Sequence, residues 1–109
     1  MVDDDASIRL LCRLNLELEG WIVREAASLA DARRELRDGA VSVVLLDVHV
    51  GYEDGAAFVA EIRAEHPHTK VAMLTGSVEG PKAGEAGADK VIWKPFILEH
   101  LTSAVAELA

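Results

Sequence analysis

The chain has 109 residues, half of them apolar, and carries 19 acidic against 11 basic side chains for a formal charge of −8. That is one domain with a single modest core, and its acidity argues against nucleic acid or an anionic membrane surface as a direct partner, because both need a basic face. The single cysteine, Cys12, excludes an internal disulfide and suits a reducing compartment; no apolar run reaches membrane-spanning length and no secretory pattern opens the chain, so a cytoplasmic protein is expected.

Met1 and Val2 precede three consecutive carboxylates, Asp3, Asp4 and Asp5. Adjacent like charges repel, so these residues are either a solvated end or a group that awaits a cation. Residues 6–20 place Leu11, Leu14 and Leu18 three and four apart before Gly20, which predicts an amphipathic helix with those leucines on its inner face. Cys12 lies inside it and reads as a small core residue. Residues 21–23 (WIV) predict a brief strand. Residues 28–39 predict a second helix, with Ser28 and Asp31 in capping-box-like spacing and Gly39 as its stop.

The run 41–46 (VSVVLL) is continuous and β-branched, the pattern of a strand buried on both faces. A third helix, with Phe58, Val59 and Ile62 on one side, closes before Pro67. Residues 71–74 and 91–93 predict two more strands, and residues 97–109 a last amphipathic helix. The stretch 77–89 between those two strands holds Gly80, Pro81, Gly84 and Gly87, so a full regular helix is not expected there.

Alternating strands and helices imply a parallel sheet with right-handed crossovers and helices on both faces. Ligands of such sheets bind at the carboxyl ends of the strands. The polar residues found there are Asp3 and Asp4 after Val2, Asp47 after VSVVLL, Thr75 after VAML, and Lys94 with Pro95 after VIW. Three carboxylates at one sheet edge form a pocket of hard oxygen ligands suited to Mg²⁺. Without a cation, at least one of them should have a raised pKa. The His49 ring is not expected to ligate metal, and His66, His68 and His100 read as solvated. Trp21 and Trp93 read as core, and Gly55, after Asp54, as a backbone requirement of a turn.

The stretches VDDDASIRLL, LLDVHVGYEDG, MLTG and AGADKVIWKPF resemble, in order and across essentially the whole chain, the motifs of the bacterial response-regulator receiver domain. The resemblance implies one receiver domain over residues 1–109. Its fold would be flavodoxin-like, a doubly wound five-stranded parallel sheet in the order 2-1-3-4-5, here with the first strand and the fourth helix shortened. It implies Asp47 as phosphoacceptor, and Asp3, Asp4, Asp47 and the His49 backbone carbonyl as Mg²⁺ ligands. Thr75 and Lys94 would contact the phosphoryl group, and the Lys94–Pro95 bond would be cis. The chain would then catalyse its own Mg²⁺-dependent phosphorylation and hydrolysis without being an enzyme for another substrate.

The implied partners are a sensor histidine kinase or phosphotransfer protein and a downstream protein; direct nucleic acid and membrane binding are not implied, and a homodimer stays open. The sequence departs from the family pattern at Gly51, where proline is usual, and at Val91, where many members carry a switching aromatic. The interval from Thr75 to Lys94 is also short. Those departures suggest signalling by ordering of residues 77–89, or alternatively a constitutive interaction module that no longer switches. A phosphatase reading fails because no acid follows Asp47 two residues on, and a flavin reading fails because no phosphate-cradling loop follows the first strand.

Overall fold

The computed structural model describes residues 1–76 and 87–109. The acidic run divides at once. Asp5 is the N-cap of helix α1 (Ala6–Leu18), its carboxylate accepting from the amides of Ser7 at 2.9 Å and Ile8 at 3.3 Å. That use satisfies helix donors that have no partner of their own, and leaves Asp3 and Asp4 for other work.

The inner face of α1 is not the expected one. Cys12 and Leu16 are buried, while Leu11, Leu14 and Leu18 are exposed, Leu18 at 85%. The helix carries two apolar stripes at i, i+4 spacing, one of Ile8, Cys12 and Leu16 and one of Leu10, Leu14 and Leu18. Periodicity alone cannot choose between stripes of equal length.

Residues 21–23 form no strand. The pairing falls later, where Ala26 makes a parallel bridge to Val2, because a strand needs a neighbour and Val2 is the neighbour within reach. Trp21 is half-buried at the margin of the core. Helix α2 (Leu29–Asp38) follows, capped by Ser28, whose hydroxyl accepts from the Asp31 amide at 3.1 Å.

Strand β1 (Val43–Asp47) is followed by a two-stranded antiparallel ribbon of β2 (His49–Val50) and β3 (Glu53–Asp54), which the sequence did not suggest. Helix α3 (Gly55–Glu65) buries Phe58, Val59 and Ile62 as expected. Strands β4 (Lys70–Thr75) and β5 (Lys90–Trp93) precede the last helix, α4 (Leu98–Leu108).

The sheet runs β1-β4-β5, all parallel, with Leu46 beside Met73 and Met73 beside Val91. Val2 continues it by single-residue bridges to Leu46 on one side and Ala26 on the other. Five regular strands were expected in this sheet; among the described residues it contains three, together with those two bridges. The shortened helix expected within residues 77–89, and the ordering expected of that stretch, fall on a segment of which residues 77–86 lie outside the described residues.

Side chains alternate across β1, as a pleated strand requires. Val44 and Leu46 join a cluster with α2 and α3 residues, and Leu45 joins another with Cys12, Leu16, Leu101 and Val105. Helices therefore cover both faces of the sheet. On β5, Val91 and Ile92 pack into opposite clusters, but Trp93 is 51% exposed rather than core, because it ends the edge strand of the described sheet. His68 and His100 are exposed, as expected, and His66 is half-buried. Among the described residues, no helix is long and apolar enough to cross a membrane.

Candidate functional site

Main-chain pairing assembles the site. The Val2 amide donates to the Leu45 carbonyl at 2.8 Å, the Asp47 amide to the Val2 carbonyl at 3.0 Å, and the Asp3 amide to the Ala26 carbonyl at 3.1 Å. Those bonds deliver Asp3 to the end of β1, beside Asp47. Carboxylate oxygens of Asp3, Asp4 and Asp47 then all lie within 4.8 Å of one another. Lys94 closes the group, its Nζ 3.3 Å from Asp47 Oδ1 and 3.8 Å from Asp3 Oδ2.

Burial is graded across the three acids. Asp4 is exposed, Asp47 half-buried, and Asp3 only 1% accessible. Asp3 Oδ1 accepts from the Asp5 amide at 2.9 Å, but Oδ2 is buried with no hydrogen-bond donor among the described residues. Desolvation, joined by the nearby Asp47 charge, pushes the Asp3 carboxyl up to about 6, since burial disfavours the ionised form. A buried carboxylate oxygen without a donor, beside two further carboxylates, is what a hard divalent cation satisfies. The residues fit Mg²⁺.

Thr75 is 1% accessible at the end of β4, and its hydroxyl donates to the Gly76 carbonyl at 3.0 Å. The Lys94 amide donates to the Thr75 carbonyl at 2.7 Å, which ties the ends of β4 and β5 together. The Lys94–Pro95 peptide is cis, as expected. His49 lies two residues beyond Asp47 with its side chain exposed. Val91 is half-buried against the cluster that contains Leu46.

Two glycines shape the loop after Asp47. Gly51 turns the β2–β3 ribbon with φ +63°, a value closed to the proline usual there, whose ring holds φ near −65°. Gly55 donates to the Val48 carbonyl at 2.7 Å. A Cβ on it would overlap the Asp47 carbonyl oxygen and come within 2.8 Å of that of Val48. The expectation of a backbone requirement at Gly55 thus takes a concrete form: close approach to the main chain of the site.

Sequence reasoning missed Arg9. Its Nη1 donates to the Asp3 carbonyl at 2.7 Å and its Nε to Glu25 at 3.2 Å, so it clamps the acidic turn to the neighbouring segment. An arginine one turn into the helix after an acidic run was the available signal.

The fold and site together define a parallel α/β domain with an acidic pocket suited to a cation and a lysine at the carboxyl ends of its strands. The family of response regulator receiver domains matches residues 1–106, and the chain belongs to that family. The transcriptional regulatory protein PrrA of Mycobacterium tuberculosis is 33% identical over 111 residues, covering 99% of this chain and 48% of its own length. The chain thus spans about half the length of that relative. Among solved structures, the receiver domain of NtrX from Brucella abortus superposes with a TM-score of 0.91 at 31% identity, covering 98% of this chain and 93% of that one. A response regulator from Thermotoga maritima gives 0.84 at 32% identity, covering 98% and 92%.

Proposed function

We propose that the chain accepts a phosphoryl group on Asp47 from the phosphohistidine of a sensor histidine kinase or a phosphotransfer protein, and that this changes a protein-binding surface. The observation that carries the reading is the convergence of three carboxylates within 4.8 Å on a lysine whose Nζ is 3.3 Å from Asp47. Asp3, Asp4, Asp47 and the His49 carbonyl are the ligands we assign to Mg²⁺, which when bound supplies positive charge against the carboxylates and the incoming phosphoryl oxygens.

The residues of the chain do the rest. An Asp47 carboxylate oxygen forms the bond to phosphorus as the phosphorus–nitrogen bond of the donor breaks, leaving an aspartyl phosphate. Lys94 holds a compact positive charge beside the equatorial oxygens. Thr75 turns its hydroxyl from the Gly76 carbonyl to a phosphoryl oxygen. The same pocket admits water for hydrolysis of the aspartyl phosphate, so the domain resets itself. Pro95 sets the turn that follows Lys94. Val91 is short and stiff about χ1, so we assign it no swinging motion and read the switch as movement of main chain rather than of an aromatic lever. The bridges at Val2 and Ala26 support reading those segments as the two further strands of a 2-1-3-4-5 order. The intact acid, hydroxyl and lysine set favours a working switch over a constitutive module.

Incubation with acetyl phosphate and Mg²⁺, followed by intact-mass measurement, tests the reading. The wild type should gain one phosphoryl mass and Asp47→Asn none; equal labelling of the Asn variant overturns the assignment.

A further inference from the structure

Asp4 is the exposed member of the acidic trio, yet its carboxylate lies within 4.8 Å of those of Asp3 and Asp47. The direction of an exposed side chain is set by the main chain that carries it, because backbone geometry decides which rotamers are open. Both peptides that flank Asp4 are held. In the one that follows it, the Asp5 amide donates to Asp3 Oδ1 at 2.9 Å. In the one before it, the Asp3 carbonyl accepts from Arg9 Nη1 at 2.7 Å. A peptide unit is planar, so a bond to its carbonyl restrains the tilt of the whole group.

Arg9 stands where the main-chain ladder gives out. The Asp3 amide donates to the Ala26 carbonyl at 3.1 Å, and in a parallel ladder the next rung would bring the amide of residue 28 to the Asp3 carbonyl. Ser28 is already the cap of α2, and the Asp3 carbonyl takes its donor from the Arg9 side chain.

That side chain is itself braced. It leaves α1 one turn into the helix, is only 16% accessible, and its Nε donates to Glu25 Oε1 at 3.2 Å. The other Glu25 oxygen accepts from Arg13 Nη1. A planar guanidinium serves a carbonyl and a carboxylate at once in one fixed geometry, which the single ammonium of a lysine does not. Among the described residues, the cation paired with Asp3 and Asp47 is Lys94, whereas Arg9 is paired with Glu25. Arg9 therefore acts on the main chain of the pocket and not on its carboxylates.

We propose that Arg9 is a positioning residue of the cation pocket: braced by Glu25, it fixes the Asp3–Asp4 peptide and so aims the Asp4 carboxylate at the ion shared with Asp3 and Asp47. This role rests on the same reading of the pocket as a Mg²⁺ site. Charge and position predict opposite signs for it. A positive charge near the site repels a cation, so by charge alone the loss of Arg9 would tighten Mg²⁺ binding. Loss of a residue that orients a metal ligand weakens binding, by about 10–100-fold in known sites.

Calorimetric titration of the full chain with Mg²⁺ separates the two, at constant ionic strength and at a temperature where circular dichroism shows each variant folded. Arg9→Met should weaken binding about tenfold. Arg9→Lys keeps the charge without the fork; it should weaken binding about threefold, and it carries the comparison if the methionine variant does not fold. In an Asp4→Ala background the effect of either substitution should shrink below about twofold, because the carboxylate that Arg9 aims is gone. Wild-type or tighter binding in the folded Arg9 variants, or an equal loss with and without the Asp4 carboxylate, overturns the role of Arg9 and leaves the pocket standing. No Mg²⁺ binding by the unsubstituted chain overturns the pocket itself, and the role of Arg9 with it.

Discussion

The two ends of the sheet solve opposite problems. The carboxyl ends of its strands gather Asp3, Asp4, Asp47, Thr75 and Lys94, where side-chain charge dominates and main-chain groups are paired. The amino end is built of apolar side chains such as Leu16, Leu36, Val44 and Val105. One end gathers three carboxylates around a single lysine, and the other gathers apolar side chains. The difference teaches that one short segment, Met1 to Asp3, sets both. It carries an acid into the pocket, and its main chain pairs with β1 on one side and Ala26 on the other.

Substitutions can pull the two ends apart. The largest effect is expected where the amino end is best packed. Leu16→Ala, in the core at that end and 4% exposed, should lower stability by about 2–5 kcal/mol, as read by chemical denaturation. A loss under about 1 kcal/mol would show that the region is loosely packed.

At the carboxyl end, Asp3→Asn should do the reverse and stabilise the metal-free protein at pH 7. Asp3 rises from 3.8 to about 6 on folding, so the native state holds its proton more tightly than the unfolded chain does. The resulting penalty is fully present above pH 6, declines as the pH falls toward 4, and is gone below that. The gain should be about 1–3 kcal/mol at pH 7 and vanish near pH 4. A pH-independent gain would mean that packing, not charge, is responsible.

Gly55→Ala should cost about 1–3 kcal/mol and slow phosphorylation, because the new methyl displaces the main chain that carries Asp47. Normal labelling kinetics in a folded Gly55→Ala protein would show that the loop is not what positions the acid. Smallest of all, Leu18→Ala should change stability by less than about 0.5 kcal/mol, since that side chain is 85% exposed. A Leu18 effect as large as that of Leu16 would restore the helix face read from periodicity.

Much of the carboxyl end was legible in the sequence because each strand terminates in a polar residue directly after an apolar run, and strand ends are where such sheets bind ligands. Asp47, Thr75 and Lys94 were readable for that reason, as were the Ser28 cap and the buried face of α3. The orientation of α1 was not, because two apolar stripes compete and only contact with the sheet decides between them. The strand expected at residues 21–23 failed for a related reason: local β propensity has no effect without a partner in register. Trp93 shows the limit of hydrophobicity as a guide at an edge strand. Arg9 acts on a backbone carbonyl, which leaves no mark in the pattern of side chains. The β2–β3 ribbon depends on Gly51 at positive φ, where the family pattern pointed to proline.

The claim at the centre of this account is that Asp3, Asp4 and Asp47 form one cation site rather than three neighbouring surface acids. Calorimetric titration with Mg²⁺ at constant ionic strength tests it most directly. Wild-type protein should bind one ion, and Asp4→Ala and Asp47→Asn should each weaken binding at least tenfold, because removing either carboxylate leaves too little negative charge to offset dehydration of the ion. Unchanged affinity in Asp4→Ala and Asp47→Asn would contradict the shared site.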